Sequence, residues 1–216
     1  MSNYETDLDA CRNRQQRLLA HMQANNIDAM IATKTEHVQW LVGARFPWVM
    51  QAAVALRADG HVTLASPKKP VLDAAADEVV QYEAQWHSTL RNDQRQACMA
   101  VLEASLNGKL SGGRIGVEYS CFGRHGNFDE QEFIDIEPTL YKLRRRKDAD
   151  ELARIRKAIS GTGKMYERAR EIIRPGISEL EMFNELQTVA VNEFGEMLTG
   201  TGNDYQCGSR GGPPRN

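Results

Sequence analysis

The chain has 216 residues, 41% of them hydrophobic, enough for one sizeable core and part of another. Lys and Arg number 27 against 29 Asp and Glu, a formal charge of −2, so there is no electrostatic case for nucleic acid or an anionic membrane. No apolar run is long enough to span a bilayer, and the polar, acidic first ten residues do not read as a secretory signal. The four cysteines, Cys11, Cys98, Cys121 and Cys207, have no CxxC spacing that would indicate a zinc knuckle or a disulfide scaffold. A reduced, soluble, cytoplasmic protein is expected.

In chain order, Leu8, Cys11, Leu18 and Met22 fall on one face of an amphipathic helix that Asn25 and Asn26 end. Residues 28–33 (DAMIAT) suit a buried strand, and residues 35–41 a short helix closed by Gly43. Residues 52–57 and 61–65 are strand-like and flank Ala58-Asp59-Gly60, a hairpin signal. Residues 79–83 read as a strand, 89–107 as a helix ended by Gly108, 114–118 (RIGVE) as a strand, and 133–137 as a strand ended by Pro138. This alternation predicts an α/β domain with a mixed sheet and flanking helices.

From Lys147 the pattern is helical. Asp148 and Glu151 have capping-box spacing. Leu152, Ile155, Ile159, Thr162, Tyr166, Ala169 and Ile173 then follow in alternating steps of three and four, a single seam that Pro175-Gly176 stops. Ser178 and Glu181 form a second candidate capping box. They open a helix running to about Phe194, with Leu180, Phe183, Leu186, Val189 and Ala190 expected inward and Gly195 at its end. Residues 197–201 suit a strand, and the tail beyond Gly202 is rich in Gly and Pro. The domain boundary is expected within residues 140–147.

Five segments resemble the Xaa-Pro peptidase/creatinase family. Residues 143–159 (LRRRKDADELARIRKAI) resemble the linker and first helix of its pita-bread catalytic domain. Residues 174–181 (RPGISELE) resemble the turn between the first two helices of that domain, and residues 200–204 (GTGND) resemble its following strand. Residues 12–33 (RNRQQRLLAHMQANNIDAMIAT) resemble the opening helix and strand of the family's N-terminal domain. Residues 37–46 (HVQWLVGARF) resemble its aromatic-Leu-x-Gly turn. The resemblance implies a creatinase/prolidase N-terminal-like domain over residues 1–142 and, over 143–216, an incomplete, truncated pita-bread metallopeptidase domain with its first two helices and first strand. A full-length parent would hydrolyse Xaa-Pro bonds as a proline dipeptidase or Xaa-Pro aminopeptidase with two divalent metals (Mn, Co or Zn), or would act as a creatinase-type amidinohydrolase without metal. A stand-alone dimerisation or binding module is the alternative. The family's metal ligands and catalytic histidines lie beyond the matching segments, so no catalytic or metal residue carries over. This chain alone is expected to be inactive, without a cofactor, and to pair with itself or with an intact homologue, taking peptide only in full-length form.

The residues themselves offer little that builds a site. The five histidines, His21, His37, His61, His87 and His125, lack metal-ligand spacing. Asp129, Glu130, Glu132, Asp135 and Glu137 read as a solvated acidic face, and Arg144 to Lys147 as a basic linker. The glycines of residues 112–116 (GGRIG) precede a strand, the wrong order for a phosphate cradle. Arg45, Phe46 and Trp48, just after the WLVG turn, are the candidate substrate- or partner-facing loop. The bland reading, a surface loop with Trp48 packed on its own domain, stays open.

Overall fold

The computed structural model describes residues 7–46, 50–67, 73–83, 94–106, 113–122, 132–196 and 198. The chain divides into two compact units, Thr6–Lys147 and the part from Asp148 onward.

The first unit is built on a six-stranded mixed sheet. In chain order its elements are α1 (Leu8–Ala24), β1 (Ala29–Ala32), α2 (Thr35–Val42), β2 (Ala53–Arg57), β3 (Val62–Pro67), β4 (Glu78–Tyr82), α3 (Gln94–Leu106), β5 (Arg114–Val117), β6 (Glu132–Asp135) and α4 (Glu137–Arg145). The strand order is β4-β3-β2-β1-β5-β6. β1 runs antiparallel to β2 and parallel to β5, and β5 runs parallel to β6. All four residues of β1 are buried, as a strand inside a sheet covered on both faces requires.

Side chains alternate across that sheet, and so define two cores. Met30 and Ala32 join Val54, Leu56, Val62 and Leu64 under α1, α2 and α4, where Leu18, Met22, Trp40, Leu41 and Leu140 pack. Ala29 and Ile31 join Ala53, Ala55, Ala65, Ile115 and Val117 under α3, which contributes Cys98, Met99, Leu102 and Leu106. Burying a Leu, Ile or Met of this kind stabilises by about 1.5–3 kcal/mol relative to leaving it in water.

The hairpin at Ala58-Asp59-Gly60 forms as expected, with Val54 opposite Leu64 and Leu56 opposite Val62. The end of the unit differs from expectation. Pro138 does not close a strand: β6 ends at Asp135, and Pro138 sits in the first turn of α4. Its missing N–H is harmless there, because first-turn amides have no intrahelical acceptor. α4 occupies most of the stretch expected as a linker, and its Leu140 is fully buried. Gly116 permits the close approach of this segment: a Cβ there would lie 3.0 Å from Ile136 Cδ1. The glycine of the RIGVE strand is thus a packing device.

The second unit contains α5 (Ala149–Ile172) and α6 (Glu179–Phe194). Both capping boxes form; Asp148 N donates to Glu151 at 3.0 Å and Ser178 N donates to Glu181 at 2.8 Å. Gly161 is buried, and a Cβ on it would fall within the Phe194 ring. α6 therefore approaches α5 on the Gly161 side, and Leu186 and Ala190 are its buried residues. Leu180, expected inward, is 68% exposed; it stands in the first turn, off the face that carries Leu186 and Ala190. The strand expected over 197–201 and the GTGND segment lie outside the described residues, apart from Leu198.

Candidate functional site

The carboxyl ends of the adjacent parallel strands β1, β5 and β6 bring polar residues together, where open α/β sheets commonly place their polar chemistry. β1 leads through Thr33 and Lys34 into α2, which carries His37. β5 leads into Glu118, Ser120 and Cys121. β6 leads into α4, which carries Glu137 and Tyr141.

Glu118 is fully buried. Its Oε2 accepts hydrogen bonds from Thr33 N at 2.7 Å, Lys34 N at 3.0 Å, Thr33 Oγ1 at 3.1 Å and Cys121 Sγ at 3.3 Å. Its Oε1 faces His37 Nδ1, itself fully buried. Burial pushes the Glu118 carboxyl up, but the hydrogen bonds from His37, Thr33 and Lys34 outweigh it, and the group is held below the usual carboxylate range. An ionised carboxylate only accepts, so the proton of this contact sits on His37 Nδ1. The His37 ring meets Tyr141 edge-on, with centroids 5.3 Å apart. The negative charge also lies at the start of α2, where the helix dipole favours it.

A second, more superficial knot lies beside it. Glu137 accepts from Lys34 Nζ at 2.8 Å, Ser120 Oγ at 2.8 Å, Ser120 N at 3.1 Å and Tyr141 OH at 3.2 Å. Partial burial raises its carboxyl, and these bonds, that from Lys34 first, bring it down to about 2. Lys34 is shifted upward by Glu137 and Tyr141.

This arrangement ties three strand ends together; it does not poise a reactive group. Each carboxylate is ionised and surrounded by donors, which opposes general-base work near neutral pH. Burial pushes the Cys121 thiol up, away from thiolate. None of these residues was expected as a site. Glu118 was read as the last residue of the RIGVE strand, and His37 as one of five scattered histidines and the first residue of the HVQWLVGARF segment; 81 positions separate the pair.

Two of the three residues expected to form a substrate- or partner-facing loop are described. Arg45 is exposed just beyond α2, whereas Phe46 is half-buried against the core under α1 and α2. Trp48 lies outside the described residues.

One group of acidic residues among those described, Asp148, Asp150 and Glu151, brings its ligand atoms within 4.8 Å. Its oxygens already have partners: Glu151 caps the amide of Asp148, and Asp150 pairs with Arg154 at 3.3 Å. It contains no histidine and forms the first turn of a helix, so it does not fit the two-metal centre that the resemblance implies for a full-length peptidase.

The family described as Creatinase/Prolidase N-terminal domain matches residues 14–146. That is more than half of the chain, and the chain belongs to this family. A comparison with curated proteins gave no significant match. Among solved structures, the prolidase from Pyrococcus horikoshii OT3 is similar at 19% identity and a TM-score of 0.63, over 82% of this chain and 48% of that one. The Xaa-Pro dipeptidase from Bacillus anthracis is similar at 19% identity and a TM-score of 0.64, over 85% of this chain and 49% of that one. The X-Pro aminopeptidase from Thermotoga maritima MSB8 is similar at 16% identity and a TM-score of 0.63, over 83% and 49%. At these identities the likeness is one of fold. The chain spans about half the length of these structures. No helix among the described residues is long and apolar enough to cross a membrane.

Proposed function

We propose that these 216 residues are a non-catalytic module of the Xaa-Pro peptidase class. In this reading a full-length parent hydrolyses the bond before proline, with two divalent metals acting on the scissile carbonyl and its attacking water. The residues described above contribute the N-terminal domain and a helical hairpin. The observation that carries the reading is the match of residues 14–146 to the creatinase/prolidase N-terminal domain, joined to a mixed sheet whose polar residues are spent on holding strand ends together. A dipeptidase is favoured over a creatinase-type amidinohydrolase by the named activities of the prolidase and dipeptidase structures that share the fold.

The test is hydrolysis of an Xaa-Pro dipeptide by homogeneous chain, with Mn²⁺, Co²⁺ or Zn²⁺ added in turn. No turnover above the metal-only control is expected. Turnover abolished by a chelator and restored by metal would overturn the proposal.

A further inference from the structure

The β2–β3 hairpin carries the chain's single Asp-Gly pair, Asp59-Gly60. Such a pair is chemically weak, because glycine has no side chain to keep its amide nitrogen away from the neighbouring carboxyl. Gly60 N can attack Asp59 Cγ. The new N–Cγ bond closes a five-membered succinimide, and the Cγ–O bond breaks. The departing oxygen leaves as water, carrying the carboxyl's proton and the amide hydrogen. Water then adds back to the ring. Opening at the main-chain carbonyl of Asp59 leaves the chain running through Cγ, as isoaspartate of unchanged mass; opening at Cγ restores aspartate. Ring closure needs a protonated carboxyl that is free to turn onto the next amide, because water leaves far more readily than hydroxide. It also needs a Gly60 nitrogen that is not already engaged.

The folded hairpin withholds both. Gly60 N donates to Arg57 O at 2.9 Å and Arg57 N to His61 O at 3.0 Å, a three-residue loop whose last position, with φ +88°, suits glycine. Asp59 Oδ1 accepts from His61 N at 3.0 Å and from Arg57 Nε at 3.2 Å, while Arg57 Nη2 holds Oδ2. Both carboxylate oxygens are thus tied to groups other than the Gly60 amide. The Arg57 guanidinium first, and then the His61 amide, hold the Asp59 carboxyl below the usual carboxylate range. His61 and Glu78, 3.7 Å apart, are the other ionisable groups beside the pair. The Asp59 side chain is 57% exposed, so water for the second step is at hand. We infer that Asp59-Gly60 is an isoaspartate-forming modification site that the folded hairpin holds closed, with Arg57 as the residue that positions the carboxylate away from the attacking amide. Isoaspartate adds one backbone carbon within the turn, and the register of β2 against β3 depends on that turn. The inference stands on the hairpin and does not depend on the peptidase-class reading.

The test is a time course of the whole chain held at mildly acidic pH and body temperature. Peptide mapping by chromatography with electron-transfer fragmentation separates the Asp59 peptide from its isoaspartyl form. Conversion should be at least about tenfold faster in chain unfolded by guanidinium chloride, because only the opened hairpin reacts. Arg57→Ala, with its native far-UV spectrum retained, should convert about three- to fivefold faster than the parent, the range set by a half-exposed ion pair. Arg57→Lys keeps the charge but not the forked pair of N–H donors, so it should restore part of the protection and fall between the two. If the alanine variant loses its native spectrum, the lysine variant carries the test alone. Three results would overturn the inference: no isoaspartate at position 59 in the unfolded chain, conversion as fast in the folded parent as in the unfolded chain, or folded Arg57 variants that convert no faster than the parent.

Discussion

Glu118→Gln is the substitution to which the fold of the first unit should be most sensitive for its size. It preserves shape but removes the charge that Thr33, Lys34 and His37 address, and it turns one acceptor oxygen into a donor facing donors. Hydrogen bonds to a charged group contribute about 1.5–3 kcal/mol each, and a buried donor left unpaired costs about 1–3 kcal/mol. The amide oxygen can still accept from part of the set, so the expected loss is about 3 kcal/mol, or about 10 °C in Tm for a unit of this size. Tryptophan fluorescence during urea unfolding isolates the effect, because Trp40, Trp48 and Trp86 all belong to the first unit. The pH dependence has a definite sign. Glu118 is depressed in the fold, so its contribution is present above the unfolded value of about 4.3 and is lost as pH falls below it through the folded value. The variant should therefore show a flatter acid limb than the parent. A Glu118→Gln chain within about 0.5 kcal/mol of the parent, with the same acid limb, would refute the reasoning.

Glu137→Gln should be milder, because its knot is more superficial and partly screened. Glu137 titrates in the fold near 2, so the parent should lose its contribution between about pH 4.3 and 2. Acid titration of fluorescence should show the variant lacking that component. Gly116→Val should cost about 1–3 kcal/mol by overpacking against Ile136, read as a lower urea midpoint with an unchanged slope; an unchanged midpoint would mean that the close approach is not needed.

Elements whose signal is local were legible from sequence. The Asp-Gly hairpin, the two capping boxes and the amphipathic first helix each arise from residues within a few positions of one another. α4 was missed because its signals conflicted: Pro138 suggested a stop, and Arg144 to Lys147 suggested a solvated linker. Burial of Leu140 and Ile136 against the sheet decided for helix. The polar knot was illegible for a different reason. Thr33, His37, Glu118 and Glu137 come together only when β1, β5 and β6 lie side by side, and no spacing rule links positions so far apart in the chain. The seam of α5 was legible as a pattern, but periodicity identifies an apolar face without naming what covers it.

The claim that these residues carry no peptidase centre is tested most directly by titrating Mn²⁺ into homogeneous chain in a calorimeter. A two-metal peptidase site takes up two ions per chain, and ligand deprotonation makes that uptake pH-dependent. The account predicts only weak, non-saturating heats, unchanged by Asp150→Asn in the acidic first turn of α5. Saturable binding of two ions per chain, with Xaa-Pro cleavage appearing at the same stoichiometry, would contradict it.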